Sequence, residues 1–154
     1  MQDIPESLAR NRVTFDSAAA AESAFYAAFS SGDHLGMMEV WASDDEIVCV
    51  HPMGPRLTGR DLISASWVQI LAGEPHRTFD IQLVTNWTDA ELAVRVVNEI
   101  ISLPTSKLEF TPVLATNVYR SSRNGWHIVE HHASIDASRN LGGPADSDEG
   151  HTRH

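Results

Sequence analysis

The sequence predicts an α+β domain in which three helices precede a meander of long strands. Helical spacing of apolar residues is confined to the first half, strict two-residue alternation begins at Phe79, and Gly or Pro punctuates the joins between segments. The first helix is capped by Asp16, carries Ala18, Ala21, Phe25, Ala28 and Phe29 at helical spacing, and ends at Gly32. Asp33 caps a short second helix at once, with Leu35, Met38 and Trp41 on one face. Residues 46–51 (EIVCVH) read as a strand stopped by Pro52 and Gly54. Thr58 and Asp61 then form a capping box for a third helix over residues 59–72, its stripe being Ile63, Trp67, Ile70 and Leu71, closed by Gly73 and Pro75.

The remainder is sheet. Phe79, Ile81, Leu83, Thr85 and Trp87 alternate as a half-buried strand, residues 88–90 turn, and residues 91–103 return. After a connection over residues 104–112, residues 113–121 form a further long strand. Asn124-Gly125 marks a hairpin into residues 126–134. A strongly curved antiparallel sheet of this kind has a concave side, and the three N-terminal helices are the elements available to cover it. The organisation expected is an arm over residues 1–15, the domain over 16–135, and a mobile acidic tail over 136–154, where Gly, Asp and Ser dominate.

Composition narrows the function. The 154 residues carry 42% hydrophobic and 21% charged residues, as one globular domain does. A net charge of −10 argues against nucleic-acid binding, which gathers Lys and Arg against phosphates. No apolar run reaches the roughly 20 residues of a membrane span. The single cysteine, Cys49, can form neither an internal disulfide nor a thiolate cluster, and residues 1–10 lack a secretory signal, so the expected address is cytoplasmic.

Several local motifs are shared with a known superfamily. Residues 25–33 (FYAAFSSGD), 40–44 (VWASD) leading into 47–59 (IVCVHPMGPRLTG), 115–119 (ATNVY) and 125–134 (GWHIVEHHAS) occur in order over most of the chain. Together they resemble the nuclear transport factor 2-like superfamily, and in particular its SnoaL-like branch. The resemblance implies a cone lined by helices around a small-molecule pocket, no cofactor, and a homodimer formed through the sheet. It implies fold more strongly than activity, because members include isomerases, cyclases, dehydratases and plain binding or assembly domains.

Within that resemblance, ketosteroid isomerase places a catalytic carboxylate where this chain has His51, before Pro52. A histidine there suits proton transfer near neutral pH, or a hydrogen bond at a pocket rim. The isomerase's oxyanion donors align with Phe25 and Ala115, which cannot donate, and Tyr26 points about 100° away around the helix, so isomerisation by that mechanism is disfavoured.

On the last strand only one of His131 and His132 can face the interior. Apolar content favours the face of Trp126, Ile128, Glu130 and His132, which would set Glu130 beside His132, unless a bulge reverses it. Ala115, Asn117 and Tyr119 share a face, where Asn117 would orient a carbonyl or hydroxyl. Arg95 and Glu99 share another: either they pair within the cone or they lie on the outer, subunit-facing side, which the apolar count of the opposite face, Val94, Val96, Asn98 and Ile100, favours. Two imidazoles with Glu130 or Glu99 would suit zinc or iron, but the spacing matches no ligand motif and no metal is expected.

The expected site is therefore a pocket lined by Trp41, Trp67, Asn117, Tyr119, Glu130 and His131, with His51 and His132 moving a proton on a hydrophobic, oxygen-bearing substrate. A non-catalytic homodimeric binding or assembly domain is the alternative. Residues 131–134 (HHAS) are also similar to a stretch of iota-class carbonic anhydrases, which would imply a hydratase.

Overall fold

A computed structural model describes residues 13–73, 77–102 and 112–140. Pro75, most of the connection over 104–112, residues 1–12 of the arm and the tail beyond 140 lie outside the described residues. Helix α1 spans Ala18–Ser31, α2 His34–Val40 and α3 Arg60–Leu71; the strands are β1 Val48–Val50, β2 Arg56–Thr58, β3 Thr78–Thr88, β4 Leu92–Ser102, β5 Val113–Ser122 and β6 Gly125–Ile135. They form one six-stranded sheet in the order β2-β1-β6-β5-β4-β3. The sheet is mixed: β1 runs parallel to β6, and every other pair is antiparallel.

The helix ends show which polar residues do the capping. Ser17, not Asp16, caps α1 by accepting from Ala20 N at 3.0 Å. Gly32 closes it at φ 74°, a left-handed conformation that favours glycine, and Asp33 accepts from Gly36 N to start α2. The expected capping box at Thr58 is replaced by a different arrangement, because Thr58 is already paired with Val48 in the sheet. Gly59, at φ 94°, makes the turn into α3, and Asp45 accepts from Arg60 N at 3.4 Å. The Arg60 guanidinium in turn donates to the carbonyls of Met38 and Ala42, filling orphan acceptors at the end of α2. On α2 Met38 and Trp41 of the expected stripe are buried, together with Met37 and Val40, whereas Leu35 is 71% exposed.

Two bulges shape the sheet. Val84 is the extra residue where β3 meets β4, and Val129 where β6 meets β5. Each flips the alternation beyond it. Asp136 accepts from Ser138 N and Oγ and starts a single helical turn, α4, Ala137–Asn140.

Helix α1 packs across β3, β5 and β6, and its Phe25 lies at the centre of the core. Phe25, Phe29, Trp67 and Phe79 meet edge-on or tilted, with centroids 4.4–6.3 Å apart along the chain of contacts. Trp41 leaves α2 in extended conformation and bridges to Ile128.

Candidate functional site

Between α1 and the β3–β4 hairpin opens a cavity of about 540 Å³, lined by Glu22, Tyr26 and Arg95 with apolar walls from Phe79, Ile81 and Leu83. Beneath it lies a buried polar network. Arg95 Nε donates to Glu22 Oε1 at 2.8 Å. Glu22 Oε2 accepts from Tyr119 O–H at 2.9 Å and from Asn117 Nδ2 at 3.2 Å. Asn117 Nδ2 also donates to the Tyr26 oxygen at 3.1 Å, and Tyr26 O–H donates to Glu99 at 2.6 Å. With both Nδ2 hydrogens spent, Asn117 Oδ1 is the acceptor for His131 Nδ1–H at 2.6 Å. Three strands and one helix thus meet in one hydrogen-bonded set.

Burial sets the electrostatics. The Glu99 carboxyl is pushed up to about 7, first by desolvation and further by Glu22, although the bond from Tyr26 opposes this. Desolvation pushes the Tyr26 and Tyr119 hydroxyls well above their ordinary range, with the neighbouring carboxylates adding to it. His131, 1% exposed, is held neutral: desolvation, then His51 and His132, bring it down to about 3.

The expected site residues fall into three groups. Asn117, Tyr119 and His131 belong to the network. Trp41 and Trp67 are fully buried, and among the described residues their indole N–H groups have no hydrogen-bond partner, at a cost of about 1–3 kcal/mol each. They serve as packing: Trp67 lies against Phe25, Phe29, His51 and His131. His132 and Glu130 lie on the opposite face of the sheet, in a groove with Val84, Val96 and Leu114. The Trp126 face is therefore not the inward one along its whole length. The Val129 bulge keeps Ile128 inside and then turns His131 and Ala133, not Glu130 and His132, toward the helices. Separate faces prevent His51 and His132 from acting on one ligand.

His51 is half-buried against Trp67, 4.9 Å from it and 6.3 Å from His131 between ring centroids. Ser66 Oγ spends its hydrogen on Ile63 O at 2.7 Å, so His51 Nε2–H donates to Ser66 at 3.0 Å. Desolvation lowers His51 from its ordinary value. Cys49 Sγ lies 3.6 Å from His51 Nε2, but burial, assisted by Glu99, pushes the thiol up to about 12 and leaves it a poor nucleophile. Among the described residues no three His, Cys, Asp or Glu side chains gather in a group that could hold a metal ion.

Arg95 and Glu99 correct the sequence expectation most. Both face the helices, because α1 offers each a partner in Glu22 and Tyr26. Glu22, the lone charge in α1, was the signal available in the sequence.

A SnoaL-like domain model matches residues 19–138. The chain belongs to the SnoaL-like family. Among solved structures, it is similar to a Thiobacillus denitrificans protein provisionally named a calcium/calmodulin-dependent protein kinase type II association domain: 36% identity, 80% of this chain and 98% of that one covered, TM-score 0.76. A provisionally assigned dehydratase of the NTF2-like family from Streptomyces avermitilis is 29% identical over 76% of this chain and 91% of its own, with a TM-score of 0.68. A ketosteroid isomerase-like protein from Erwinia carotovora atroseptica shares the fold at 17% identity, covering 77% and 92%, with a TM-score of 0.60. The chain is also 24% identical over 99 residues to the F-box protein SKIP8 of Arabidopsis thaliana, covering 64% of this chain but only 41% of that protein. No helix among the described residues of this SnoaL-like chain is long and apolar enough to cross a membrane.

Proposed function

We propose that the protein binds a small hydrophobic, oxygen-bearing molecule in the cavity under α1, with the ligand's anionic or acceptor end against Arg95. One observation carries this reading. Among the described residues the Arg95 guanidinium meets only Glu22, through Nε, while its side chain, 15% exposed, lines the cavity. Two terminal nitrogens remain for the planar, two-pronged recognition that suits a carboxylate. A volume of about 540 Å³ suits a small metabolite.

Acid–base chemistry of the isomerase, cyclase or dehydratase type would draw on Glu99, poised near 7, and Tyr26 rather than on His132, which faces away. His51 would then act as a support for Trp67 and α3. A cytoplasmic address belongs to the same reading. Thermal-shift screening of carboxylates against matched alcohols tests it: carboxylates should raise Tm, and Ala27→Trp, which fills the exposed mouth, should remove the rise without lowering the ligand-free Tm. A rise that survives Ala27→Trp would place the ligand elsewhere.

A second reading is homodimerisation through the outer sheet face. Val84 at 59% and Leu114 at 38% exposed border the Glu130–His132 groove there, and a mostly apolar patch is self-complementary across a two-fold axis. Light scattering should then show a dimer that Leu114→Glu turns into a monomer; an unchanged mass in the variant would remove this face from assembly.

A further inference from the structure

The hydrogen bonds of Tyr26 have a direction. Its single O–H points at Glu99 while its oxygen accepts from Asn117, so its hydrogen is committed to the interior although Tyr26 lines the cavity. Protonation of Glu99 reverses the order. The carboxylic acid O–H donates to the Tyr26 oxygen, which then accepts from both Asn117 and Glu99, and the phenolic hydrogen is released to turn into the cavity. A hydroxyl has the capacity for two accepted bonds and one donated.

We propose that a small organic anion binds under α1 together with one proton, which Glu99 takes up from solvent and which frees Tyr26 to donate to the ligand beside Arg95. The inference rests on the cavity reading given above and adds a switch to it. No other bond changes and no electron moves.

The surroundings of Glu99 support the linkage. The titratable and charged groups on the inner face of the elements packed round it are Glu22 and Tyr26 on α1, Arg95 on its own strand, Tyr119 on β5, His131 on β6 and Cys49 on β1. From β3 the cavity receives Thr78, Phe79, Ile81 and Leu83, which carry no charge. Arg95 is balanced by Glu22, so an ionised Glu99 leaves the buried set with an excess negative charge. A ligand anion added to that set makes the Glu99 proton easier to take up. Because the ligand-free carboxyl already sits at about 7, the uptake falls in the neutral range.

Benzoate, ionised throughout the range, is a suitable probe for calorimetry on the full chain at pH 6 to 8 in two buffers of different ionisation enthalpy. Affinity should be about tenfold weaker at pH 8 than at pH 6, with uptake approaching one proton at pH 8. Glu99→Gln donates from its amide to Tyr26 whatever the pH, so its affinity should stay within about twofold of the wild-type value at pH 6. A flat wild-type profile, or a Glu99→Gln variant that keeps the slope, overturns the inference while leaving the cavity reading standing. Failure of benzoate to bind the wild type removes both. Should Glu99→Gln not fold, the carboxyl ¹³C resonance of Glu99 replaces it: saturating benzoate should raise its midpoint by about two pH units or more, and an unmoved midpoint overturns the proposal.

Discussion

The two faces of the sheet hold their polar groups differently. Facing the helices are Glu99, Asn117, Tyr119 and His131, all buried, and the half-buried Arg95, every one of them hydrogen-bonded. Facing outward are Val84, Val96 and Leu114, with Glu130 and His132 the ionisable residues in their groove. Burial of charge is tolerable on the inner face because α1 brings Glu22 and Tyr26 to meet it. Partners, not apolar count, decide which face goes in.

The largest effect expected breaks that partnership directly. Glu22→Ala removes one acceptor from Arg95, Asn117 and Tyr119 together, leaving two buried donors unpaired and a half-buried guanidinium uncompensated. Urea unfolding should register a loss of about 3–5 kcal/mol. Ala substitution of Asp80, an exposed carboxylate of β3, provides the contrast and should stay within about 0.5 kcal/mol.

The next effect concerns pH. Folded Glu99 titrates at about 7, above its ordinary 4.5, so the folded state holds that proton longer and stability falls as pH rises through this window. Folded His131 titrates at about 3, below its ordinary 6.5, so its contribution is lost as pH falls from 6.5 toward 3. Where the windows overlap, the two slopes, each about 1.4 kcal/mol per pH unit, oppose one another and cancel. Glu99→Gln should expose the His131 slope, so that the variant loses about 1.4 kcal/mol per unit on acidification from pH 6.5 to 4.5 relative to wild type. Parallel stability curves would mean that Glu99 titrates in the folded chain as it does in the unfolded one.

Most of the fold was legible in the sequence and much of the site was not, for different physical reasons. Gly32 and Asp33 are local devices: a left-handed closure and a side-chain cap act within a few residues, so their meaning survives without the tertiary structure. The alternation from Phe79 likewise marks a strand wherever it packs. The orientation of β4 and the end of β6 depends on contacts far apart in sequence. Arg95 meets Glu22 across 73 positions, and the extra residue at Val129 has no composition signal, so the inward histidine is His131 rather than His132. The three-residue strand β2 is too short to show alternation. The parallel pairing of β1 with β6, Cys49 beside His131, joins the two ends of the domain and is equally invisible locally.

The smallest effect lies outside both faces and calibrates them. Met53 holds φ 64° in the turn closed by Gly54 N–H donating to His51 O, a conformation that costs a residue with a side chain about 1 kcal/mol. Met53 is also 89% exposed, so Met53→Gly should raise stability by about that amount, measured by urea unfolding, with little packing to lose. Destabilisation would show that this turn packs against something beyond the described residues.

A double-mutant cycle between Glu22 and Arg95 tests most directly whether charge on β4 is turned inward against α1. Glu22→Gln, Arg95→Gln and the double variant, compared by urea unfolding, should show a coupling of about 1.5–3 kcal/mol, with the double variant less damaged than the sum of the singles. Additive losses within about 0.3 kcal/mol would contradict the account, because two side chains that meet at 2.8 Å in a buried site cannot be independent.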